Sequence, residues 1–192
     1  MKVADTHYRT IWPAADGRSV EIIDQRWLPH EFRIATLSTV GDVATAIRDM
    51  WVRGAPLIGV TAAYGIAWQM SEDPSDVALA SAYDVLHETR PTAINLRWAL
   101  DAMRAILSNL PAERRAEAAY RKAAEIAAED IEINRAIGEN GLAIIREIAA
   151  RKAPGEPVNI LTHCNAGWLA TVDYGTATAP IYLATEAGIP VH

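Results

Sequence analysis

The chain has 192 residues, of which 51% are hydrophobic and 22% are charged, and its formal net charge at pH 7 is −6. A mildly acidic chain without runs of like charge is not typical of a dedicated nucleic-acid or membrane-surface binder. No window is apolar enough to span a membrane, the first ten residues lack the apolar part of a signal peptide, and the single cysteine cannot form a disulfide within the chain. These features favour an ordinary globular protein of the cytoplasm.

Short β-like runs occupy the first 37 residues. The segments TIW (10–12), SVEIIDQ (19–25) and FRIATL (32–37) contain β-branched and aromatic residues, and the turn-forming segments PAADG and WLPHE separate them. This spacing predicts a small β segment at the N-terminus.

Helical periodicity replaces the β pattern from about residue 39. Thr39 is a candidate N-cap for the first helix. The second helical segment is almost wholly apolar, which is typical of a buried helix. Pro91 separates the third segment from the fourth. The four predicted helices span residues 39–52, 55–70, 73–89 and 92–107.

A long alanine-rich helix is predicted from about Ala112 to Arg151. Gly138 and Gly141 lie inside it and are expected to kink or interrupt it. Its isoleucines recur at steps of seven and four residues, which predicts an apolar stripe made of Ile126, Ile133, Ile137, Ile144 and Ile148.

In the last part of the chain, predicted strands alternate with a predicted helix. After a Pro-Gly linker at 154–155, VNILTHC (158–164) predicts a buried strand that ends in the turn NAG. ATAPIYLATEAG (177–188) predicts a helix, and IPVH (189–192) predicts a second strand. This β-turn-α-β order is how a parallel α/β sheet begins.

Together these patterns predict an α/β protein with two domains. Residues 1–153 form the N-terminal β/helical domain, and residues 154–192 form the first elements of a parallel α/β domain. A parallel strand needs neighbours on both sides, which one β-α-β unit cannot supply. We therefore expect the second domain to be incomplete, with its remaining strands in a further segment or in a companion chain.

The segment VRGAPLIG (52–59) is a candidate anion site at a helix start. Pro56 suits the first helical turn, and Gly54 and Ala55 allow a ligand to approach the backbone closely. Free N–H groups and the positive end of the helix dipole attract an anion, which Arg53 would bind through two hydrogen bonds. The alternative is an ordinary helix start with a surface arginine.

Arg90 marks a second helix start, within ETRPTAINLRWA (88–99). Thr92 is the candidate N-cap of this helix. The alternative is again a surface arginine in a salt bridge. Two arginine-marked helix starts in one short chain favour a phosphorylated ligand.

Cys164 ends the predicted strand VNILTHC and directly precedes the NAG turn. Open parallel sheets bind their ligands at the carboxyl ends of their strands, which makes this thiol a candidate catalytic group. The alternative is a small buried core residue, which is the commoner environment of a free cysteine. His163 would point to the opposite face of the strand, so a simple dyad of these two neighbours is disfavoured.

Three segments resemble, in order and separation, the motifs of the 5-methylthioribose-1-phosphate isomerase family: RGAPLIGVTAAYG, TRPTAINLRWAL, and ILTHCNAGWLAT with GTATAPI. The resemblance runs from about residue 10 to the last residue. The family is related to ribose-1,5-bisphosphate isomerases and to regulatory subunits of the translation-initiation guanine-nucleotide exchange factor. The resemblance implies an aldose–ketose isomerisation in methionine salvage, a C-terminal Rossmann-like domain and a homodimer.

Carried over by motif, the resemblance implies that Arg53, Gly54, Ala55 and Arg90 bind the sugar phosphate and that Cys164 is the catalytic thiol. The family's catalytic aspartate, and the glutamine, asparagine and lysine that also touch the substrate, are expected beyond residue 192. The chain alone is therefore expected to be inactive. Nothing in the sequence requires a metal or an organic cofactor.

Two alternatives stay open at this point. One is the isomerisation of another sugar phosphate, such as ribose 1,5-bisphosphate, which an extra basic cluster at the far end of the site would indicate. The other is a non-catalytic regulatory subunit of the exchange-factor type. The presence of Arg53, Arg90 and Cys164 argues against this second alternative.

Overall fold

The computed structural model of the protein describes residues 2–192. Its strands come first: β1 (Lys2–Val3), β2 (Thr6–His7), β3 (Ile11–Pro13), β4 (Val20–Ile23) and β5 (Ile34–Leu37). Its helices follow: α1 (Val40–Arg48), α2 (Ala55–Glu72), α3 (Asp76–His87), α4 (Ile94–Leu107), α5 (Ala112–Ala149) and α6 (Ala179–Glu186). The predicted α/β class, with a small N-terminal β segment before the helices, is confirmed.

Strands β3, β4 and β5 form an antiparallel sheet in that order. Ile11 pairs with Ile22, and Val20 pairs with Leu37, so that these apolar side chains share the buried face of the sheet. The three predicted β runs are therefore confirmed. A further two-stranded hairpin, β1–β2, precedes them and was not predicted from the sequence.

Helix α2 is the centre of the helical part. It packs against α1, α3, α4 and α5, and its side chains are buried on every side from Leu57 to Ala67. The prediction of a buried helix is confirmed. Thr39 caps α1 as predicted, since its hydroxyl oxygen accepts a hydrogen bond from the Asp42 N–H at 2.9 Å.

The start of α4 corrects one prediction. Its N-cap is Ala93, without a side-chain cap, and not Thr92. The reason is a turn in which the Ala93 N–H donates to the Arg90 carbonyl oxygen at 2.9 Å. This turn holds Thr92 one position too early to reach the free N–H groups of the helix.

Helix α5 runs without a break through Gly138 and Gly141, so the predicted interruption is wrong. The glycines instead allow α6 to pack closely. A Cβ on Gly138 would lie 2.8 Å from Leu183 Cδ1, and one on Gly141 would lie 2.4 Å from Pro180 Cγ. Any larger side chain at these two positions would push α6 away from α5.

The predicted isoleucine stripe of α5 is buried only at its beginning. Ile126 belongs to the main core, whereas the other four isoleucines are exposed: Ile133, Ile137, Ile144 and Ile148. The second half of the stripe is exposed because α6 covers a different face, the one that carries Gly138, Gly141 and Ile145.

The end of the chain forms the predicted parallel pairing in a shorter form. The Val158 N–H donates to the Pro190 carbonyl oxygen at 2.9 Å, and the Ile160 N–H donates to the His192 carbonyl oxygen at 2.8 Å. Val158 and Val191 form a parallel bridge. A second small core lies beneath this pairing, made of Ile145, Val158 and Ala184.

The predicted buried strand does not continue to Cys164. Residues 161–164 meet no neighbouring strand within residues 2–192, and the side chain of Leu161 is 97% exposed. The apolar pattern of VNIL therefore predicted the pairing and burial of Val158 correctly, whereas the burial predicted for residues 161–164 is wrong. None of the helices in the described part of the chain has the length and hydropathy that a membrane crossing requires.

Candidate active site

The loop before α2 has the geometry expected of an anion site. Gly54 is the N-cap residue, with a φ of 111°, and α2 begins at Ala55. The Ile58 N–H already bonds to the Gly54 carbonyl oxygen, so the N–H groups of Ala55 and Leu57 remain free of helical partners. The Arg53 side chain is exposed beside them.

Gln25 joins this loop to a distant part of the chain. Its buried side chain donates from Nε2 to the Leu169 carbonyl oxygen at 2.7 Å and accepts at Oε1 from Arg53 Nε at 3.4 Å. Its N–H donates to the Trp51 carbonyl oxygen at 2.9 Å. One amide therefore holds the Arg53 loop against the 3-10 turn Trp168–Ala170.

The loop that contains Cys164 lies against the same place. The Asn165 side-chain amide donates to the Arg53 carbonyl oxygen at 3.5 Å, the long end of the hydrogen-bond range. Cys164 is exposed, and its φ of 68° lies in the left-handed region. The alternative of a small buried core cysteine is therefore wrong, and the thiol faces solvent next to the Arg53 loop.

Arg90 stands apart from this contact. It is half-buried in the turn that precedes α4, and its carbonyl oxygen closes that turn. The structure thus joins the Arg53 and Cys164 loops directly, while Arg90 marks the start of a neighbouring helix that packs on α2.

A cavity of about 400 Å³ lies between the starts of α2 and α4 and the middle of α5. Pro56 and Val60 line it from α2, Trp98 lines it from α4, and Ile126 lines it from α5. Arg53, Arg90 and Cys164 are not among its lining residues. The cavity therefore adjoins the candidate site without containing its charged groups.

Two polar residues of α5 form the floor of this cavity. Asp130 accepts a hydrogen bond from the Val172 N–H at 2.7 Å and another from Asn134 Nδ2 at 3.0 Å. Burial raises the pKa of the Asp130 carboxyl above its usual value, and the nearby Asp173 carboxylate adds to this rise. Through Val172, Asp130 fixes the loop that follows the 3-10 turn.

Gln25 provides a direct test of how the Arg53 loop is held against the 3-10 turn. Replacing Gln25 by Met leaves the Leu169 carbonyl oxygen without its donor, and we expect unfolding to become about 1–3 kcal/mol easier. Gln69→Met on α2 is the matched control, with an expected change within about 0.5 kcal/mol. Urea titration of both variants measures this difference, and equal midpoints would contradict the joining role of Gln25.

The profile of the Initiation factor 2 subunit family matches residues 51–192, more than half of the chain. The chain belongs to the Initiation factor 2 subunit family. The resemblance found in the sequence is confirmed by curated relatives, which include the methylthioribose-1-phosphate isomerase of Sinorhizobium medicae (strain WSM419), 76% identical over 192 residues. The methylthioribose-1-phosphate isomerase of Escherichia coli O45:K1 is 58% identical.

These two alignments cover 100% of this chain. They cover only 53% of the Sinorhizobium medicae relative and 52% of the Escherichia coli relative. The chain therefore spans about half the length of the curated relatives that it matches. A 5-methylthioribose 1-phosphate isomerase from Pyrococcus horikoshii OT3 has the same fold, with a TM-score of 0.81 and 36% identity over 96% of this chain and 51% of that one.

A second solved structure is the delta subunit of translation initiation factor eIF-2B from A. fulgidus. It matches with a TM-score of 0.80 and 35% identity, over 97% of this chain and 53% of that one. The fold is therefore common to proteins with both names, and it does not by itself decide the function.

Proposed function

We propose that this chain is part of an aldose–ketose isomerase that converts 5-methylthioribose 1-phosphate to 5-methylthioribulose 1-phosphate, a reaction of methionine salvage. The observation that carries the proposal is the contact between Asn165 of the Cys164 loop and the Arg53 carbonyl oxygen, which supports a shared site for the exposed thiol and the helix start at which we propose that the phosphate binds. The 76% identity to an isomerase over every residue of the chain supports the same activity.

In this proposal the phosphate binds at the start of α2. The free N–H groups of Ala55 and Leu57 and the helix dipole attract it, while the absence of a side chain at Gly54 makes room for Ala170 against this loop. The Arg53 guanidinium is held at Nε by Gln25, which leaves its terminal nitrogens for the ligand. Arg90 is the second cation for the same substrate.

The reaction needs acid–base groups because the phosphate on the anomeric oxygen prevents the ring from opening as a free hemiacetal does. Protonation of the ring oxygen breaks the ring, and a hydrogen then moves from C2 to C1 while the C2 hydroxyl becomes the ketone. The product has the same atoms and the same overall oxidation level as the substrate, so no external oxidant or reductant is needed. Hydride transfer and an enediolate route both satisfy this balance.

Cys164 is the proposed thiol of this chemistry. A thiol next to the reacting carbons assists proton transfer or stabilises developing charge, and one positioned acid–base group is worth about 10²–10⁴ in rate. The left-handed backbone at Cys164 supports this role, since such strain in a residue other than glycine is concentrated at functional sites.

The second catalytic group and the other substrate contacts belong, in this proposal, to the further length that the curated relatives have. That segment completes a Rossmann-like domain, which begins within residues 154–192 with the parallel pairing of Val158 and Val191. Residues 1–153 form the separate β/helical domain. We further propose a cytoplasmic homodimer without nucleic-acid or membrane partners.

The alternative function is that of a non-catalytic regulatory subunit, which the match to an initiation factor subunit favours. The two functions are distinguished by incubating the full-length protein with 5-methylthioribose 1-phosphate and following the appearance of the ketose. Turnover would support the isomerase. No turnover, together with a stoichiometric complex with exchange-factor subunits, would support the regulatory function instead.

A further inference from the structure

We propose that a second cavity, with a lining different from that of the candidate active site, binds a small organic monocarboxylate with an apolar body. This hairpin cavity measures about 330 Å³ and lies where the β3–β4 hairpin meets α2 and α5. Its volume falls within the range of small-molecule sites. The proposal stands on the residues of this cavity and does not depend on the isomerase function.

The walls of the hairpin cavity come from the β3–β4 hairpin and from two helices. They are made of Pro13, Gly17, Ser19 and Val20 of the hairpin, Tyr64 of α2, and Tyr120, Arg121 and Ala124 of α5. This set shares no residue with the lining of the cavity between α2, α4 and α5, and it does not include Arg53, Arg90 or Cys164. A ligand bound here would therefore leave the candidate active site free.

The Tyr64 hydroxyl is a hydrogen-bond donor that a ligand would use. Tyr64 is only 6% exposed, and its hydroxyl makes no hydrogen bond to the part of the chain that the structure describes. The hydroxyl oxygen is not among the fully enclosed polar atoms, so it is reachable from the cavity that Tyr64 lines. A buried tyrosine hydroxyl usually has a partner, and an acceptor on a bound molecule would supply one.

The charge of the hairpin cavity favours an anion. Among the described residues that line it, Arg121 is the one that carries a charge. Its contact with Glu125 spans 4.0 Å, the limit of an ion pair, and Lys122 approaches the same carboxylate more closely, at 3.5 Å. The Arg121 guanidinium is therefore available to a ligand. One guanidinium and one phenol suit a carboxylate with a single charge better than a phosphate dianion.

Tyr64 keeps its proton for this role. Burial raises the pKa of the Tyr64 phenol, and the positive charge of Arg9 acts against this rise. The phenol therefore stays a neutral donor at neutral pH. The field of Arg9, which is close enough to act on Tyr64, also favours an anion beside the phenol.

The other polar groups of the cavity are already paired. The Tyr120 hydroxyl donates to the Arg18 carbonyl oxygen at 2.7 Å, which ties the hairpin to α5. The Ser19 N–H donates to the Asp16 carboxylate at 2.9 Å, and the Ser19 hydroxyl donates to the same carboxylate. These bonds leave the phenol of α2 and the guanidinium of α5 as the donors for a ligand.

The rest of the lining suits the apolar body of the ligand. Pro13, Val20 and Ala124 present aliphatic groups, and Tyr120 adds an aromatic ring. Burial of an aliphatic or aromatic body against these groups is favourable, whereas a body with further charges would lose its hydration without compensation.

The test is isothermal titration calorimetry of the full-length protein with isovalerate and benzoate, each compared with its uncharged amide. We expect saturable binding of a carboxylate with a Kd of about 1 mM and about tenfold weaker binding of its amide. Tyr64→Phe keeps the ring and removes the donor, and should raise the Kd about tenfold. Arg121→Gln should raise it about threefold, because the guanidinium is largely exposed.

Three further variants locate the binding. Ala124 is exposed on α5, so Ala124→Leu fills the hairpin cavity without disturbing the core and should abolish binding. Arg53→Gln, at the start of α2, and Arg114→Gln, an exposed arginine of α5 outside this cavity, should leave the Kd unchanged.

Each outcome decides for or against the hairpin cavity. Weaker binding confined to Tyr64→Phe, Arg121→Gln and Ala124→Leu supports it. The proposal is overturned if neither carboxylate binds, or if all variants bind as the wild type does. It is also overturned if Arg53→Gln alone weakens binding, because the carboxylate would then lie at the start of α2.

Discussion

Replacing Cys164 by glycine should lower turnover of the full-length enzyme by about 10²–10⁴ while leaving its stability within about 1 kcal/mol of the wild type. The side chain is exposed, so no packing is lost. The φ of 68° is unfavourable for cysteine and readily adopted by glycine. The relief of this strain offsets the greater chain entropy that glycine gives to the unfolded state.

Two control variants make this result specific to the thiol. Asp5→Gly removes another exposed side chain at a φ of 61°, in the β1–β2 turn, and should leave turnover unchanged. Cys164→Ser keeps the backbone strain and nearly the same volume but loses the thiol, and should be as inactive as the glycine variant. Progress curves for the isomerisation, with urea unfolding in parallel, measure both quantities. Near-normal turnover in Cys164→Gly would reject the catalytic assignment.

The elements that follow from local periodicity could be predicted from the sequence. The apolar segment of α2 and the β runs of the three-stranded sheet appear in the structure with shifts of only a few residues at their ends. Their patterns reflect burial against neighbours within the same 192 residues. The signal was reliable because the packing partners lie within the described residues.

The patterns that failed are those whose burial depends on distant partners. The exposed isoleucines of α5 and the exposed Leu161 have the periodicity of core residues, but no element of residues 2–192 covers them. Periodicity reports that a face is apolar and not what packs against it. The glycines of α5 were similarly ambiguous, since glycine inside a helix marks either a break or a close approach.

The sequence predicted the main residues of the candidate site but not the hydrogen bonds that hold its segments together. The helix start at Arg53 and the thiol of Cys164 stood out because glycine, proline and cysteine are informative residue types. Gln25 did not stand out, although it joins the Arg53 loop to the 3-10 turn, because its bond to Leu169 spans 144 positions of sequence. A single glutamine at the end of a β run has no local signal for such a contact.

Asn134 was missed for a different reason. An asparagine within a long helix usually faces solvent, and its spacing of four from Asp130 and from Gly138 is also that of an ordinary helix face. Only the structure shows it buried with an unpaired oxygen beside a cavity.

Gly54→Ala is expected to have the largest effect on stability of the changes considered. A Cβ at Gly54 would lie 2.4 Å from both Cα and Cβ of Ala170, where there is no flexible side chain that could move away. Together with a φ of 111°, this overlap should make unfolding about 2–5 kcal/mol easier. In the full-length enzyme turnover should fall as well, because displacing Ala170 moves the Cys164 loop away from Arg53.

Gly17→Ala separates the two causes. Gly17 has a φ of 70°, and a Cβ there would meet nothing within 4 Å, so its replacement carries the backbone strain without the overlap. We expect a loss of about 1 kcal/mol and normal turnover. If urea unfolding gave equal losses for the two variants, the close packing of the Arg53 loop on the 3-10 turn would be wrong. A much greater loss in Gly54→Ala, with turnover lost in proportion, means that the fold and the site depend on the same contact.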